Sequence, residues 1–463
     1  MSSQAPGKHV LDAGRLIDEG PWSSYQKLLV VGIALAIVVD GLDNQLLPNA
    51  IPVLINEWGM PRAAFTSALA IGPFGMMIGG LIGGLAGDRF GRRPTLITCV
   101  VLFGVLTCVM ALVDSIGTLS ILRLLAGIGL GGAMPNAATL SSEYVPTRQR
   151  AFAVTATIVC IPLGGALAGE IAALVIPISG WRALFVVGGG LAIVIGGLLW
   201  RLVPESPKFL ARDSKRWPEL AEILRRSGQN VPAGATFVVA DENVASSTLS
   251  QRMGSLFSKG FARDTLALWA SFFFGLMVNY VIILLLPALL TSADVGFTQP
   301  AASRALAISN YGGIAGALLG AIVLQRIGSR IAMLGMCVAA IVCGIVLSGT
   351  TLDPTNTFGF LVVLLLAGAL INGVQTTMYA LAAHVYPTSI RSTGVGTAVA
   401  VGRIGNVLAA YAGSLAIDMG GASSFFLLWS ILMAVVFVTL ACIRRHVPGT
   451  MAAARSRAPR LLP

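Results

Sequence analysis

The chain has 463 residues, 56% of them apolar and only 11% charged, with a mean hydropathy of +0.83 and a formal net charge of +11. Soluble proteins carry roughly 25% charged residues, so this composition excludes a water-exposed globule and makes the bilayer the expected solvent. The positive charge does not imply nucleic acid, because the basic residues fall in short loops between apolar runs, where membrane topology accounts for them. The first 20 residues are polar and mixed in charge (Lys8, Asp12, Arg15, Asp18, Glu19). They lack the apolar core and small-residue cleavage site of a signal peptide and are expected to stay on the chain as a cytoplasmic amino terminus, 1–26.

Twelve apolar runs follow, near 27–54, 64–87, 94–113, 116–140, 151–178, 182–203, 265–291, 302–325, 330–350, 357–383, 393–417 and 422–443. Each is long enough to cross about 30 Å of hydrocarbon as a helix. The fold class is therefore an all-α membrane protein with twelve transmembrane helices in two six-helix pseudo-repeats. The bundles span 27–203 and 265–443, separated by a polar cytoplasmic linker, 204–264, and followed by a cytoplasmic tail, 444–463. Of the 31 Lys and Arg residues, 26 fall on one side of this layout, 3 on the other (Arg62, Arg182, Arg304) and 2 inside spans. The excess of positive charge marks the cytoplasmic side, so the termini and the linker are expected there.

The two halves echo each other. Asp88-Arg-Phe-Gly-Arg-Arg93 after the second span is answered by Gln325-Arg-Ile-Gly-Ser-Arg330 after the eighth, and Glu143-Tyr-Val-Pro-Thr-Arg-Gln-Arg150 by His384-Val-Tyr-Pro-Thr-Ser-Ile-Arg391. Such parallel repeats place a binding site between the halves near mid-membrane, exposed alternately to each side as one half rocks against the other.

In chain order, the first polar intrusion is Asp40-Gly-Leu-Asp43, roughly 20–24 Å along the first span beyond Lys27. The spacing of three puts both carboxylates on one face, where mutual repulsion and desolvation favour protonation. Intramembrane acids of this kind serve proton coupling; the alternative is an ion pair with a buried arginine. Next comes Gly84-Leu-Ala-Gly-Asp-Arg-Phe-Gly-Arg-Arg93. Its glycines are expected to let the second span approach a neighbour, and Asp88 to latch with basic residues in one conformation. The expected gate comprises Gly84, Asp88, Arg89, Gly91, Arg92, Glu143 and Arg150.

Arg123 and Arg403 each sit inside a span, where an isolated guanidinium costs about 3 kcal/mol or more and requires an anionic partner. Arg123 can pair with Asp40 or Asp43, or contribute to the substrate site. Arg403 has no obvious acid at its depth in the second half, Asp418 lying about 15 residues on and near the outer surface, so it is the candidate to grip a substrate carboxylate with its planar fork. Asn279, Tyr280, Asn372 and Gln375 are the candidates for ring stacking and polar orientation of that substrate, although such residues also serve as interhelical hydrogen bonds. The six cysteines lie in apolar spans, and the three histidines (His9, His384, His446) are too scattered for a metal site, so neither redox chemistry nor a metal is expected.

The motif at 84–93 resembles the loop signature of the major facilitator superfamily. Together with Asp40-Gly-Leu-Asp43, Tyr379-Ala-Leu-Ala-Ala, Tyr386-Pro-Thr-Ser-Ile-Arg391 and Gly402-Arg-Ile-Gly405, it makes the chain similar to one branch, the aromatic acid/proton symporters. That resemblance implies import of an aromatic carboxylate with protons, with Asp40 and Asp43 matching the family's paired first-span aspartates and Arg403 its eleventh-span arginine. Pro204-Glu-Ser-Pro-Lys-Phe-Leu210 is similar to a segment of sugar porters, but their Pro-Glu-Thr ending is absent after the twelfth span. Leu42 and Leu286 stand where the family usually carries aromatic residues, which implies an altered ring contact.

The expected function is thus proton-coupled import of an aromatic or related small organic carboxylate by alternating access. The proton gradient is the energy source, no cofactor takes part, and the protein works as a monomer in the lipid of a bacterial inner membrane. The competing function is a proton-driven exporter of organic acids or drugs, against which the fifth span reads Ile161-Pro-Leu-Gly-Gly165 rather than the Gly-Pro order of many antiporters. No nucleophile or metal constellation suggests an enzyme.

Overall fold

A computed structural model of the chain describes residues 10–232, 234–238, 249–258 and 260–449. Residues 1–9 (with His9) and 450–463 of the expected terminal segments, and 239–248 of the expected linker, lie outside the described residues.

Among the described residues, ten helices are long and apolar enough to cross a membrane. Two of them are double. The helix Thr147–Leu202 breaks at Gly180, whose φ is 75°, and Thr388–Cys442 breaks at Gly420 and Gly421. Twelve spans result: α1 Ser24–Trp58, α2 Thr66–Phe90, α3 Arg92–Met110, α4 Ile116–Tyr144, α5 147–179, α6 181–202, α7 Ala262–Leu290, α8 Gln299–Ile327, α9 Ser329–Gly349, α10 Phe358–Val385, α11 388–419 and α12 422–442. The first begins at a capping box in which Ser23 accepts from the Gln26 amide and Gln26 reciprocates, satisfying orphan donors at the helix start. Apolar side chains such as Leu81, Leu85 and Val194 stand exposed on the outer surface, as lipid-facing positions require.

The duplication read in the sequence reappears as repeated packing. Small residues let α2 lie on α4 in the first half, where a Cβ on Gly79 would meet the Ile128 carbonyl oxygen at 2.0 Å. Gly316 does the same for α8 on α10, at 1.8 Å from the Ala369 carbonyl oxygen. Membrane helices draw most of their attachment from such close backbone approach. The turns that follow also correspond. Gly91 after α2 and Gly328 after α8 adopt φ of 105° and 89°, a region that glycine enters without penalty.

The linker forms a small cap on one face of the bundle. It carries the helices Pro207–Ala211, Trp217–Arg226 and Leu249–Leu256, and a strand Thr236–Val238 that pairs in parallel with Val10–Asp12. Trp217–Arg226 turns Leu220, Ile223 and Leu224 inward and its charged residues outward. This face is called the linker face below, and the opposite one the far face.

Candidate functional site

Between the halves, at mid-bundle, lies a cavity. It draws Asp40 and Asn44 from α1, Asn279 and Tyr280 from α7, Asn372, Gln375 and Tyr379 from α10, and Arg403 and Asn406 from α11. The apolar remainder includes Met76, Met134, Ile161, Pro162 and Leu276. Walls that are mostly apolar with a few convergent polar groups are what a small-molecule site needs.

The two arginines have different surroundings. Arg123 is buried in the first half, with Nη1 3.2 Å from Asp43 Oδ2 and Nη2 donating to the Asn44 carbonyl at 3.0 Å. It lies behind the cavity wall and is absent from its lining, paired with the first-span acid at its level. Arg403 lies about 22 Å along α11, near the middle of the membrane. Among the described residues no carboxylate lies within 4 Å of it, and Nη2 reaches only the Met134 sulfur, at 4.0 Å. Asp418 instead pairs with Arg62 at the far face.

The two aspartates also divide. Asp43 accepts from Thr107 and Arg123, is 1% exposed and turns away from the cavity. Asp40, one helical turn nearer the linker face, lines the cavity, and its Oδ1 has no hydrogen-bond partner among the described residues. The paired site expected from the spacing is therefore one cavity carboxyl and one structural ion pair.

Asn279, Tyr280, Asn372 and Gln375 all reach the cavity. Tyr280 Oη accepts from Asn44 at 3.1 Å, and Phe272 supports the Tyr379 ring edge-on, with centroids 5.2 Å apart. Sequence reasoning missed Asn44 and Asn406. Asn406 stands three residues after Arg403, which on a helix is the same face, and that spacing was a usable signal.

The cavity is shut from the far face by bonds between the halves. Gln45 and Asn310 exchange carboxamide hydrogen bonds of 3.1 and 2.9 Å. Thr66 meets Ser414 at 3.2 Å, Glu170 bridges to Arg304 at 3.8 Å and accepts from Tyr311, and Arg62 pairs with Asp418.

The expected gating residues lie on the linker face. Asp88 pairs with Arg92 at 2.9 Å, and Arg92 reaches Glu143 at 3.4 Å. The centre of this cluster is Glu205, 2% exposed and missed in the sequence, whose Oε1 accepts the backbone amides of Arg92 and Arg93 at 3.1 Å each. A carboxylate at the start of α3 suits the positive end of that helix. Gly91 is required twice over, by its φ and because a Cβ there would lie 2.2 Å from Glu205 Oε2. Gly84 makes no close approach: no neighbouring atom lies within 4 Å of its Cβ position, and Gly83 and Gly87 are the glycines that face α4. Arg89 stacks over Phe90, and Arg150 pairs with Asp18 of the short helix Ala13–Glu19.

The family model of the Major Facilitator Superfamily matches residues 33–354 and 268–461. The 4-hydroxybenzoate transporter PcaK of Acinetobacter baylyi is 34% identical over 436 residues, covering 94% of each chain. A gallate transporter of Pseudomonas putida is 34% identical over 411 residues, covering 89% of this chain and 90% of the relative. The xylose transporter XylE of E. coli superposes with a TM-score of 0.69 over 92% of this chain and 99% of its own, at 18% identity, a likeness of fold alone.

Proposed function

The chain belongs to the major facilitator superfamily, in its branch of aromatic acid transporters, and from that premise we propose that it imports an aromatic or related small organic carboxylate together with protons, by alternating access. Arg403 carries the reading: a guanidinium at mid-membrane depth, in a cavity, with no carboxylate in ion-pairing contact among the described residues. Such a group requires an anion, and its planar fork fits a carboxylate. Tyr280 and Tyr379 supply aromatic faces in the same space. Relatives named for 4-hydroxybenzoate and gallate support the aromatic class.

Charge arithmetic explains the coupling. Empty, the cavity holds Asp40 and Arg403, one negative and one positive. Loaded with a carboxylate and with a proton on Asp40, it is neutral again. Either passenger alone leaves a net charge in a low-dielectric cavity, which is costly. Only the empty and the doubly loaded forms then reorient readily, and proton and acid travel together. The pair moves no net charge, so the membrane potential need not oppose uptake.

The bias of Lys and Arg supports a cytoplasmic linker face and cytoplasmic termini. The far-face bonds then close the outer side, and the cavity's exit is inward. The protein works as a monomer in the bacterial inner membrane, needs no cofactor, and draws on the proton gradient. The linker-face cluster of Asp88, Arg92, Glu143 and Glu205 acts within the gate.

Uptake of labelled aromatic carboxylates into cells expressing the wild type and Arg403→Ala, with and without an uncoupler, tests the proposal. Uncoupler-sensitive accumulation of one acid, lost in the variant, is the expected result. Accumulation that an uncoupler leaves intact would overturn proton coupling, and faster efflux than uptake would reverse the direction.

A further inference from the structure

The seam between α5 and α8 carries a polar cluster in a surface otherwise suited to lipid. On α5, Leu163, Leu167, Glu170 and Leu174 recur at helical spacing and form one stripe, in which all three leucines are exposed. Glu170 is the charged member of that stripe, with 36% of its side chain exposed. On α8 the facing stripe is Arg304, Tyr311, Leu318 and Ile322, all exposed. None of Glu170, Arg304 and Tyr311 lines the central cavity. By helix rise, Glu170 stands roughly 14 Å inside the far end of α5, and Arg304 roughly 8 Å inside that of α8.

An unpaired charge in a lipid-facing stripe is costly, and Glu170 is relieved across the seam. Arg304 Nε lies 3.8 Å from its Oε2, and the Tyr311 hydroxyl donates to its Oε1 at 3.4 Å. Among the described residues neither charge has a second ion-pair partner. The helices belong to different halves and touch closely at this level, where a Cβ on Gly169 would lie 2.6 Å from the Ser303 carbonyl oxygen. Opening the far face draws α5 and α8 apart and leaves Glu170 and Arg304 to face hydrocarbon singly. Separation costs more there than in water, because a low dielectric strengthens the attraction that is lost. Arg62 and Asp418, which also pair across the halves, stand instead at helix ends, where water solvates the separated charges and such pairs contribute little.

We propose that Glu170 and Arg304 form a lipid-facing latch that holds the far face closed and sets the resting orientation of the empty protein. The inference rests on the alternating-access reading and is independent of which substrate the cavity takes. Its consequence for transport is on affinity. A ligand arriving from the far side binds only the molecules open there, so its apparent dissociation constant rises in inverse proportion to that fraction. The latch thereby tunes uptake from outside the cavity, with no contact to the ligand.

The test reads the distance between spin labels attached at Leu112→Cys and Phe358→Cys, two strongly exposed positions at the far ends of α3 and α10. The native cysteines are replaced, the protein is held in lipid nanodiscs, and no substrate is added. Wild-type molecules are expected to show mainly the shorter distance of a closed far face. Glu170→Gln and Arg304→Gln are each expected to raise the proportion of the longer distance several-fold. The double variant is expected to raise it no further, because either change alone already abolishes the pair. Glu170→Arg combined with Arg304→Glu rebuilds the pair with its charges exchanged and is expected to return the distribution towards that of the wild type, which mere loss of local packing would not do. Arg62→Gln is expected to move the distribution less than either single variant. Gln45→Leu, which loosens the far face at another point, serves as the reference. If it lengthens the distance while Glu170→Gln and Arg304→Gln do not, or if their effects add in the double variant, the latch alone is overturned. If no variant lengthens the distance, the far face does not open and the alternating-access reading falls with the latch.

Discussion

Arg123 on α4 and Asp43 on α1 form an ion pair of 3.2 Å in which the two side chains are 3% and 1% exposed. That pairing leaves Asp40 as the carboxyl facing the cavity, so two aspartates one helical turn apart have separate surroundings. Removing one member of a buried pair strands its partner and costs about 3–5 kcal/mol, whereas removing both costs much less. Asp43→Asn and Arg123→Gln are therefore each expected to lower the thermal unfolding temperature in detergent, and the double variant to regain most of the loss. If the single variants unfold at the wild-type temperature, the pair does not hold the first half together.

Asp40→Asn makes a different prediction. Asp40 makes no direct ion pair, so the unfolding temperature is expected to fall less than in Asp43→Asn. The carboxamide stands in for the protonated acid, and the loaded cavity stays neutral while the empty one now carries the charge of Arg403. Exchange of external for internal acid is expected to continue, and uncoupler-sensitive accumulation to disappear. Net accumulation by Asp40→Asn at the wild-type level would assign the proton to another group.

Arg403 is expected to tolerate neither Ala nor Lys. Hydrogen bonds to charged groups contribute about 1.5–3 kcal/mol each, so Arg403→Ala should raise the dissociation constant of the carboxylate about tenfold to a hundredfold. Lysine keeps the charge and loses the planar fork, and a smaller rise is expected. Equilibrium binding of the labelled acid to purified protein measures both, and an unchanged constant in Arg403→Ala would place the acid group elsewhere.

How much of this was legible in the sequence depends on what each residue costs in lipid. Asp40, Asp43, Arg123 and Arg403 stood out because a charge inside an apolar run is expensive and demands an explanation. The repeat stood out because the loops after α2 and α8, and after α4 and α10, carry matching residues. The partner of each charge was not legible: Asp40 and Asp43 share a spacing but not a surrounding, and only the packing of α3 and α4 against α1 separates them. Gly83, Gly84 and Gly87 illustrate the same limit, since the phase of the helix decides which of them meets α4. Glu205 was hidden because its role is to accept backbone amides at the start of α3, and no side-chain pattern advertises such a contact.

The far-face seal can be loosened without touching the substrate. Gln45 and Asn310 are held to each other across the halves, and Gln45→Leu would remove both bonds and leave the Asn310 carboxamide facing an apolar group. A buried polar group left unpaired costs about 1–3 kcal/mol, and the cost falls only on the state in which the far face is closed. Asn279→Cys, placed in the cavity of a protein whose native cysteines have been replaced, is expected to react with a membrane-impermeant thiol reagent applied at the far side about tenfold faster when Gln45→Leu is also present. Equal rates would mean that the amide pair contributes nothing to closure.

The last clasp is pH-sensitive. Beyond α12, Ser329 donates its amide to the Val447 carbonyl at 2.9 Å and its Oγ accepts the Val447 amide at 2.8 Å, while His446 Nδ1 lies 3.0 Å from the same Oγ. Burial, aided by the nearby positive charge of Arg330, holds the His446 pKa below its ordinary value of 6.5, and the backbone carbonyls of Leu440 and Ile443, with Asp264, only partly offset this. The released segment therefore takes up a proton at a higher pH than the docked one, so the docked state binds fewer protons as the pH falls. Docking is fully favoured above about pH 6.5 and weakens as the pH drops through the lowered value of the docked histidine. Hydrogen exchange at the amides of Ser329 and Val447, corrected for the intrinsic pH dependence, is expected to lose protection between pH 7.5 and about 5.5. In His446→Gln, which cannot take up a proton, protection should stay level over the same range. A wild type whose protection is equally level would remove the histidine from the clasp.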